Sequence, residues 1–456
     1  MSMLGAHINL TAYGMSLSLR AALAQLLATA RDSLLYGAHP PRPGDSSVSA
    51  AWLEKQLRIR QDLSDGARVK AVRVAPLADN RGLASCILAI EAELDTGDGT
   101  PVTVLHMVLK MSHRGMQGRK TVLCGGRVRE GLFYGMVMAG GKFRGMVLPR
   151  IYYSHGSEML GEYVILMEDL RHKGGVGVNM IMGNQIWGVP DMLRNLPDPV
   201  AVLNQAFTQA ALLHAAYWND AAILKKQWLK GAAWYAGRDR WSWESGIRRA
   251  KRSWARTKAA VSNGSLAVKM DQGLAAMMDA SLEATSWQAL QEHLRSPRTP
   301  FTLCHGDFHA ANMIFLKDNG ASTSPLSTST SSGGELFAVD WSEVGPWEGT
   351  TDLAQMVISD VKPSVFEPHA SALVRAYWQA LVAEGVSKES YSFGDCWEAF
   401  CRGGMERWLW LFAVISALPN IPHSAVQYFH DQLLAFSRAF GNGRTCYALK
   451  PVVCIP

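Results

Sequence analysis

Three polar residues within 301–343 have the types and spacing to do chemistry together: Asp307, Asn312 and Asp340. The chain there reads FTLCHGDFHAANMIF, then a Ser/Thr-rich insert, then ELFAVDWSE. Asp307 and Asn312 lie in a tight polar loop between two apolar strands, and Asp340 ends a third, Leu336 to Val339. One Asp can orient an alcohol and take its proton. An amide and a second carboxylate can hold magnesium against nucleotide phosphates. Together they are the equipment of phosphoryl transfer. Taken singly, each Asp also fits an ordinary turn or cap. His305 and His309 flank Asp307. His305 is read as a brace for the loop; His309, the second candidate catalytic residue, either braces it or moves a proton.

The elements that must carry these residues can be traced from the N-terminus. Residues 1–47 read as an extension and linker. Met15 to Tyr36 has helical periodicity with Arg20 and Arg31 on a Ser/Ala-rich segment, which suits an organelle transit peptide or an amphipathic helix packed on the domain. His39 to Ser47 reads as a linker. A capped helix begins at Ser49 and runs to about Leu57. Val69 to Ala75, Ala84 to Leu94 and Val102 to Met111 are expected strands. Lys110 is the only Lys or Arg in the third of these. A buried ammonium is costly without partners. The simplest explanation is a lysine meeting nucleotide phosphates and a helical Glu, with snorkelling at a strand end as the bland reading.

Gly161 to Met167 is a further strand, and the Gly-containing run 173–177 suits a pivot or a plain loop. The chain after about residue 195 is mainly helical. Pro199 to Trp218 carries Leu203, Ala206, Phe207, Ala210, Leu213 and His214 on one stripe, His214 being read as a core residue. Trp234 to Arg256 mixes aromatics and bases, as in an exposed basic helix or a pocket lining. Residues 318–335 form a low-complexity insert, expected to be a disordered surface loop.

Composition narrows the function. The chain has 456 residues, beyond the usual single core, so two lobes are expected. No run of about 18 uncharged apolar residues appears, so no membrane span is expected. The net charge of +6 is modest and its bases are scattered, which argues against a nucleic-acid partner. Seven cysteines lack CxxC spacing and read as buried thiols of a reducing compartment, taken as the cytoplasm unless residues 1–36 direct the chain to an organelle.

His305-Gly306-Asp307-Phe308-His309-Ala310-Ala311-Asn312, Val339-Asp340-Trp341 and Asp352-Leu353-Ala354 occur in that order. This set resembles the catalytic core of the aminoglycoside phosphotransferase and choline kinase superfamily, distant relatives of protein kinases. The resemblance spans about residues 50–420, loosely outside the motifs, and looks nearest the ecdysteroid-kinase-like branch. It implies an α+β, bilobal, protein-kinase-like fold. The small antiparallel sheet lobe would cover 48–167, the larger helical lobe 168–445, and a C-terminal tail 446–456.

Residue by residue, the resemblance implies that Asp307 orients the acceptor hydroxyl and that Asn312 and Asp340 hold Mg2+. Lys110 would serve the ATP phosphates, and Glu130, in Arg129-Glu130-Gly131-Leu132-Phe133-Tyr134, would pair with it. The turn 76–85 would cover the phosphates, with Ser85 and backbone near Gly82 in contact, although a G-x-G-x-x-G pattern is missing and a plain hairpin fits as well. Glu168, Asp169 and Leu170 would link the lobes and bind the adenine edge through their backbone. Asp352 is expected to hold the metal-site loop. The partner implied is a small-molecule hydroxyl acceptor: a choline-like amine, an aminoglycoside, a sterol or another alcohol. Glu343, Glu348 and Glu406 lean towards a cationic one. Trp408 and Trp410 stand two apart, so they cannot share one helix face, and a choline-type aromatic site is weakly supported. A protein kinase is disfavoured by the missing Asp-Phe-Gly and Ala-Pro-Glu. A non-catalytic scaffold on the same fold is the alternative, against which intact Lys110, Asp307, Asn312 and Asp340 argue. Oligomeric state is not legible.

Overall fold

The computed structural model describes residues 17–31, 40–42, 45, 47–77, 85–96, 101–140, 142–182, 196–317, 333–441 and 445–451. The chain divides into two compact units, one drawn from Met1–Gly141 and Leu148–Lys173, the other from Lys142–Val147 and Gly174–Val453. The expected α+β class is present, with the sheet concentrated in the first unit and helices in the second. The turn expected to cover the phosphates (78–84), most of the low-complexity insert (318–332) and most of the N-terminal extension lie outside the described residues.

The first unit is built on an antiparallel sheet in the order β1-β2-β3-β5-β4. Its strands are β1 (Arg68–Pro76), β2 (Cys86–Asp95), β3 (Thr103–Met111), β4 (Ile151–Ser157) and β5 (Glu162–Glu168). Ser49 caps helix Ala50–Ile59 as expected, its hydroxyl accepting from the Trp52 amide at 3.4 Å. Trp52, Leu53 and Leu57 from that helix join Ile90, Ala92, Met107, Leu109 and Leu166 of the sheet in one buried core. Helix 17–31 buries Leu17, Ala21, Ala24 and Ala28 and exposes Leu19, Leu23 and Leu26. Its Gln25 accepts from Arg119 Nε at 3.0 Å, and its Arg31 pairs with buried Glu162. Of the two readings of this segment, the structure displays the packed helix. The basic stretch after β3 forms helix Gly115–Gly125, which supplies Arg119 to the same cluster.

In the second unit, helix Pro199–Ala216 buries the expected stripe, with Asp198 accepting from the Val200 and Ala201 amides and Pro199 in the first turn. Helix Arg240–Ser262 turns Trp243, Ile247, Ala250 and Trp254 inward. Helix Phe393–Ile415 is buried on every side from Gly403 to Val414. Trp408 and Trp410 are therefore both core residues, Trp410 Nε1 donating to the Gly246 carbonyl at 3.0 Å.

Two short sheets carry the polar loop. β7 (Thr302–Cys304) pairs antiparallel with β10 (Gly345–Trp347). β8 (Met313–Lys317) lies between β6 (Val176–Gly177) and β9 (Gly334–Ala338). The Gly-containing run thus becomes a strand in part. β9 starts at Gly334, so the last residues assigned to the insert belong to the sheet, Glu335 opposite Leu316. Among the described residues, no helix is long and apolar enough to cross a membrane, and each described cysteine is a free thiol.

Candidate active site

The 305–312 loop is fixed by two carboxylates the chain brings from elsewhere and by a histidine of its own. Asp352, in the first turn of helix Thr350–Asp360, accepts from the His305 amide at 2.7 Å and the Gly306 amide at 3.0 Å. Asp352 is expected to hold the loop that carries Asp340; the loop its carboxylate holds is the one that carries Asp307. Asp360, at the other end of that helix, accepts from the Ala310 amide at 2.8 Å. His305 lies across the loop, its Nε2 donating to the Val339 carbonyl at 2.9 Å and its Nδ1 accepting from the Asp307 amide at 3.3 Å. Those partners require a neutral ring, and burial lowers its pKa despite the neighbouring carboxylates. His305 is thus the brace anticipated. His214 stands behind Asp352, with Nε2 3.6 Å from Oδ2 and Nδ1 bonded to the Tyr377 hydroxyl at 2.9 Å.

Gly306 is required here. Its φ is +82°, and an added Cβ would lie 2.1 Å from the Glu343 carbonyl oxygen. Gly306→Ala must both enter the left-handed region and push the backbone away. The expected result is a loss of about tenfold or more in turnover with the helical unit still folded, checked by activity beside a thermal melt.

The loop presents Asp307 with its side chain about a third exposed. Asp307 Oδ2 is 3.5 Å from His309 Nε2, and His309 Nδ1 is 3.8 Å from buried Asp360. Burial alone would lower the His309 pKa. The Asp307 carboxylate outweighs it, aided by Asp360 and Asp340, and raises the imidazole to about 9. For Asp307, burial pushes upward, but His309, Arg407 and His305 hold the carboxyl well below its usual range. Each group thus favours the charged form of the other across 3.5 Å, as an ion pair does.

Asn312 Nδ2 donates to the Asp307 main-chain carbonyl at 3.0 Å and approaches Asp307 Oδ2 at 3.4 Å. That orientation turns Oδ1 to the other side of the amide. The main chain of Asn312 accepts from the Val339 amide at 2.9 Å, extending the β8–β9 register by one residue. Asn312 and Asp340 thus stand at the same end of that hairpin. Asp340 adopts φ +61° and ψ 65°, a conformation uncommon for a residue with a side chain and concentrated at functional sites. A carboxylate and an amide oxygen are hard donors of the kind Mg2+ takes, so this pair fits that ion.

In the first unit, Lys110 Nζ is 2.7 Å from Glu130 Oε2, with both side chains buried. Lys110 sits opposite Ile87 and Ile165 in the sheet. Glu130 lies in the first turn of helix Val128–Met138, which approaches β4 closely because Gly131 leaves room: a Cβ there would be 2.4 Å from the His155 carbonyl oxygen. Breaking such a pair leaves a buried charge. Lys110→Met is expected to weaken Mg·ATP binding about tenfold or more, read by calorimetric titration of the folded variant.

Other expectations need correction. The Ser85 hydroxyl is buried and hydrogen-bonded to the Tyr163 hydroxyl at 2.7 Å, so it points into the sheet and away from the role of phosphate ligand. The amides of Glu168 and Asp169 donate to the Arg150 carbonyl at 2.9 Å and the His106 carbonyl at 3.1 Å. The Asp169 side chain binds Arg171, and Leu170 is buried. Glu343, Glu348 and Glu406 do not offer a cationic acceptor site: Glu343 pairs with Lys230, and Glu348 and Glu406 are buried against Lys450 and Arg402.

Sequence reading missed Arg407 and Gln355, which face Asp307 Oδ1 at 3.5 and 3.4 Å. The signal was available: Arg407 is a base within the apolar run MERWLWLF, the same anomaly that marked Lys110.

The model of the phosphotransferase enzyme family matches residues 211–323, about a quarter of the chain, including Asp307, His309 and Asn312. No curated protein sequence gives a significant match. Solved structures similar to this one include a choline kinase from Cryptosporidium parvum, at 10% identity and a TM-score of 0.48 over 86% of this chain and 94% of that one. An ethanolamine kinase from Plasmodium vivax is similar at 10% identity and a TM-score of 0.43, over 82% and 83%. The choline kinase LicA from Streptococcus pneumoniae is similar at 10% identity and a TM-score of 0.38, over 86% and 100%. The segment that carries the HGD loop is thus similar to the phosphotransferase enzyme family, and the match extends over 211–323 alone.

Proposed function

We propose that the protein is an ATP-dependent small-molecule kinase that transfers the γ-phosphoryl group to a hydroxyl of a metabolite. The observation that carries this reading is the shared placement of Asp307, Asn312 and Asp340 around one end of the β8–β9 hairpin. The base and the amide lie on a loop held by buried side chains, and the second carboxylate follows β9.

In this reading Asp307 accepts a hydrogen bond from the acceptor hydroxyl and orients its oxygen. Its carboxyl is held ionised by His309 and Arg407, so it is a weak base. It takes the proton late, after bond formation to phosphorus has acidified the alcohol. Asn312 and Asp340 hold Mg2+, which when bound supplies charge neutralisation to the phosphate oxygens. Lys110, fixed by Glu130, serves the nucleotide phosphates. Most of the rate gain comes from positioning and fixed charge.

The pairing of Glu343, Glu348 and Glu406 with buried cations, and the core positions of Trp408 and Trp410, remove the features that had favoured a choline-like acceptor. Neutral alcohols therefore rank beside amines. Free thiols and an ATP-dependent reaction suit the cytoplasm.

The test is ADP release from Mg·ATP with a panel of alcohols: choline, ethanolamine, aminoglycosides, simple polyols and hydroxysteroids. Release stimulated by one class supports the reading and names the acceptor. Tight ATP binding with no release favours the non-catalytic alternative, and no ATP binding overturns both.

A further inference from the structure

The Asp307 carboxylate is held from both sides. His309 and Asn312 approach Oδ2 at 3.5 and 3.4 Å. Gln355 Nε2 and an Arg407 guanidinium nitrogen approach Oδ1 at 3.4 and 3.5 Å. Gln355 and Arg407 also bind each other, Arg407 Nε donating to Gln355 Oε1 at 2.8 Å. They come from different helices. Gln355 lies on Thr350–Asp360, whose two aspartates, Asp352 and Asp360, pin the loop. Arg407 lies on Phe393–Ile415. Both residues are buried, at 4% and 6% exposure.

Burying a guanidinium is expensive unless it is closely paired. Here its short bond is to a neutral amide, and its approach to a carboxylate is longer. An apolar side chain would fill that helix position at lower cost. The arrangement makes sense if its benefit lies in the reaction. A carboxylate rotates readily about its terminal torsion, and a hydroxyl aligned by a rotating group is aligned poorly. Hydrogen bonds in an unliganded active site are often long and tighten when substrate arrives.

We propose that Arg407, aligned by Gln355, is a positioning residue that fixes the plane of the Asp307 carboxylate for the acceptor hydroxyl. This rests on the kinase reading above. Arg407 acts through Asp307, so its loss should lower kcat and leave the Michaelis constants nearly alone. The planar fork matters: it spans Gln355 and Asp307 together, which a lysine ammonium cannot do.

The experiment measures kcat and KM for Mg·ATP hydrolysis to water, and for transfer to whichever panel alcohol stimulates release most. It uses wild type, Arg407→Met, Arg407→Lys, Gln355→Ala, and Arg407→Met combined with Asp307→Asn. Thermal melts accompany each. The expected result is a kcat about tenfold to a hundredfold lower in Arg407→Met, with both KM values within about threefold. Arg407→Lys should recover only part of the loss. Gln355→Ala should reproduce it more mildly, and this variant decides the matter if Arg407→Met fails to fold. Adding Arg407→Met to Asp307→Asn should lower kcat no further, since the group being positioned is already gone.

A folded Arg407→Met or Gln355→Ala with wild-type kcat would overturn the proposal. So would a loss confined to the acceptor KM, which would make Arg407 a substrate ligand. A wild type that binds Mg·ATP without turnover, or fails to bind it, overturns the kinase reading and this inference together. Turnover that Asp307→Asn abolishes while Arg407→Met retains it overturns this inference alone.

Discussion

Asp307→Asn is expected to lower phosphoryl transfer by about a hundredfold or more, the range for a positioned base, with ATP affinity retained. The amide keeps the size of the side chain and can still meet Gln355. It cannot accept from an alcohol with the strength of a carboxylate or hold a proton. It also removes the charge that keeps His309 protonated. His309 is raised to about 9 chiefly because the Asp307 carboxylate outweighs the effect of burial. In Asp307→Asn the imidazole should therefore titrate lower, nearer its ordinary value, which NMR of the ring protons would follow. An unchanged His309 titration would mean that the two residues are not paired as described.

The second large effect concerns stability. Lys450 Nζ is 2.8 Å from Glu348 Oε2 and 3.2 Å from Glu406 Oε2, and all three side chains are buried. Arg402 and His293 also reach Glu348, His293 at 2.9 Å. The segment 445–451 is anchored here, with the Lys450 amide donating to the Glu406 carbonyl at 3.2 Å and the Leu449 carbonyl accepting from Trp243 Nε1 at 3.1 Å. Lys450→Met would leave Glu406 and Glu348 without their buried ammonium, Glu348 keeping Arg402 and His293, and removing one partner of a buried charge pair costs about 3–5 kcal/mol. The expected outcome is a clear fall in the denaturation midpoint. Adding Glu348→Gln should cost less than the sum of the single changes, since the stranded charge is gone.

The pH dependence of this network has a definite sign. Burial would raise the Glu348 pKa, but Lys450, His293 and Arg402 hold it well below the ordinary 4.5. Its stabilising contribution is therefore complete above about 4.5 and lost as pH falls through the lower folded value. Lys450 is raised above its ordinary 10.5, burial being outweighed by Glu348 and Glu406. Its contribution is complete below about 10.5 and lost as pH rises further. Lys450→Met should flatten the alkaline limb of a stability profile; an alkaline limb unchanged from wild type would count against the pairing.

These residues also show what a sequence discloses. Asp307, Asn312 and Asp340 were legible because short-range spacing in an apolar context places them at strand ends. Lys110 was legible because one base interrupts an apolar strand. Four of the five strands of the first unit were read to within a residue or two, and β4 (Ile151–Ser157) was not read. Arg407 stood out locally as a base in an apolar run, but its partner Gln355, 52 residues away, did not, and Lys450 was not read because Glu348 is 102 residues from it. No local periodicity encodes such a contact. For the same reason Glu348 and Glu406 looked like open acidic groups, and Ser85 like a phosphate ligand, until Lys450 and Tyr163 appeared beside them. Two tryptophans two residues apart were both buried because their helix is enclosed all round, a case one-face reasoning does not cover.

The most direct measurement follows the γ-phosphoryl group itself. ATP labelled at the γ-position is incubated with the protein and the stimulating alcohol, in magnesium and in excess chelator, and the alcohol phosphate is quantified by mass. The account expects label on the alcohol with wild type in magnesium, little with chelator, and about a hundredfold less with folded, ATP-binding Asp307→Asn. Equal transfer by Asp307→Asn, or transfer indifferent to the chelator, would contradict it.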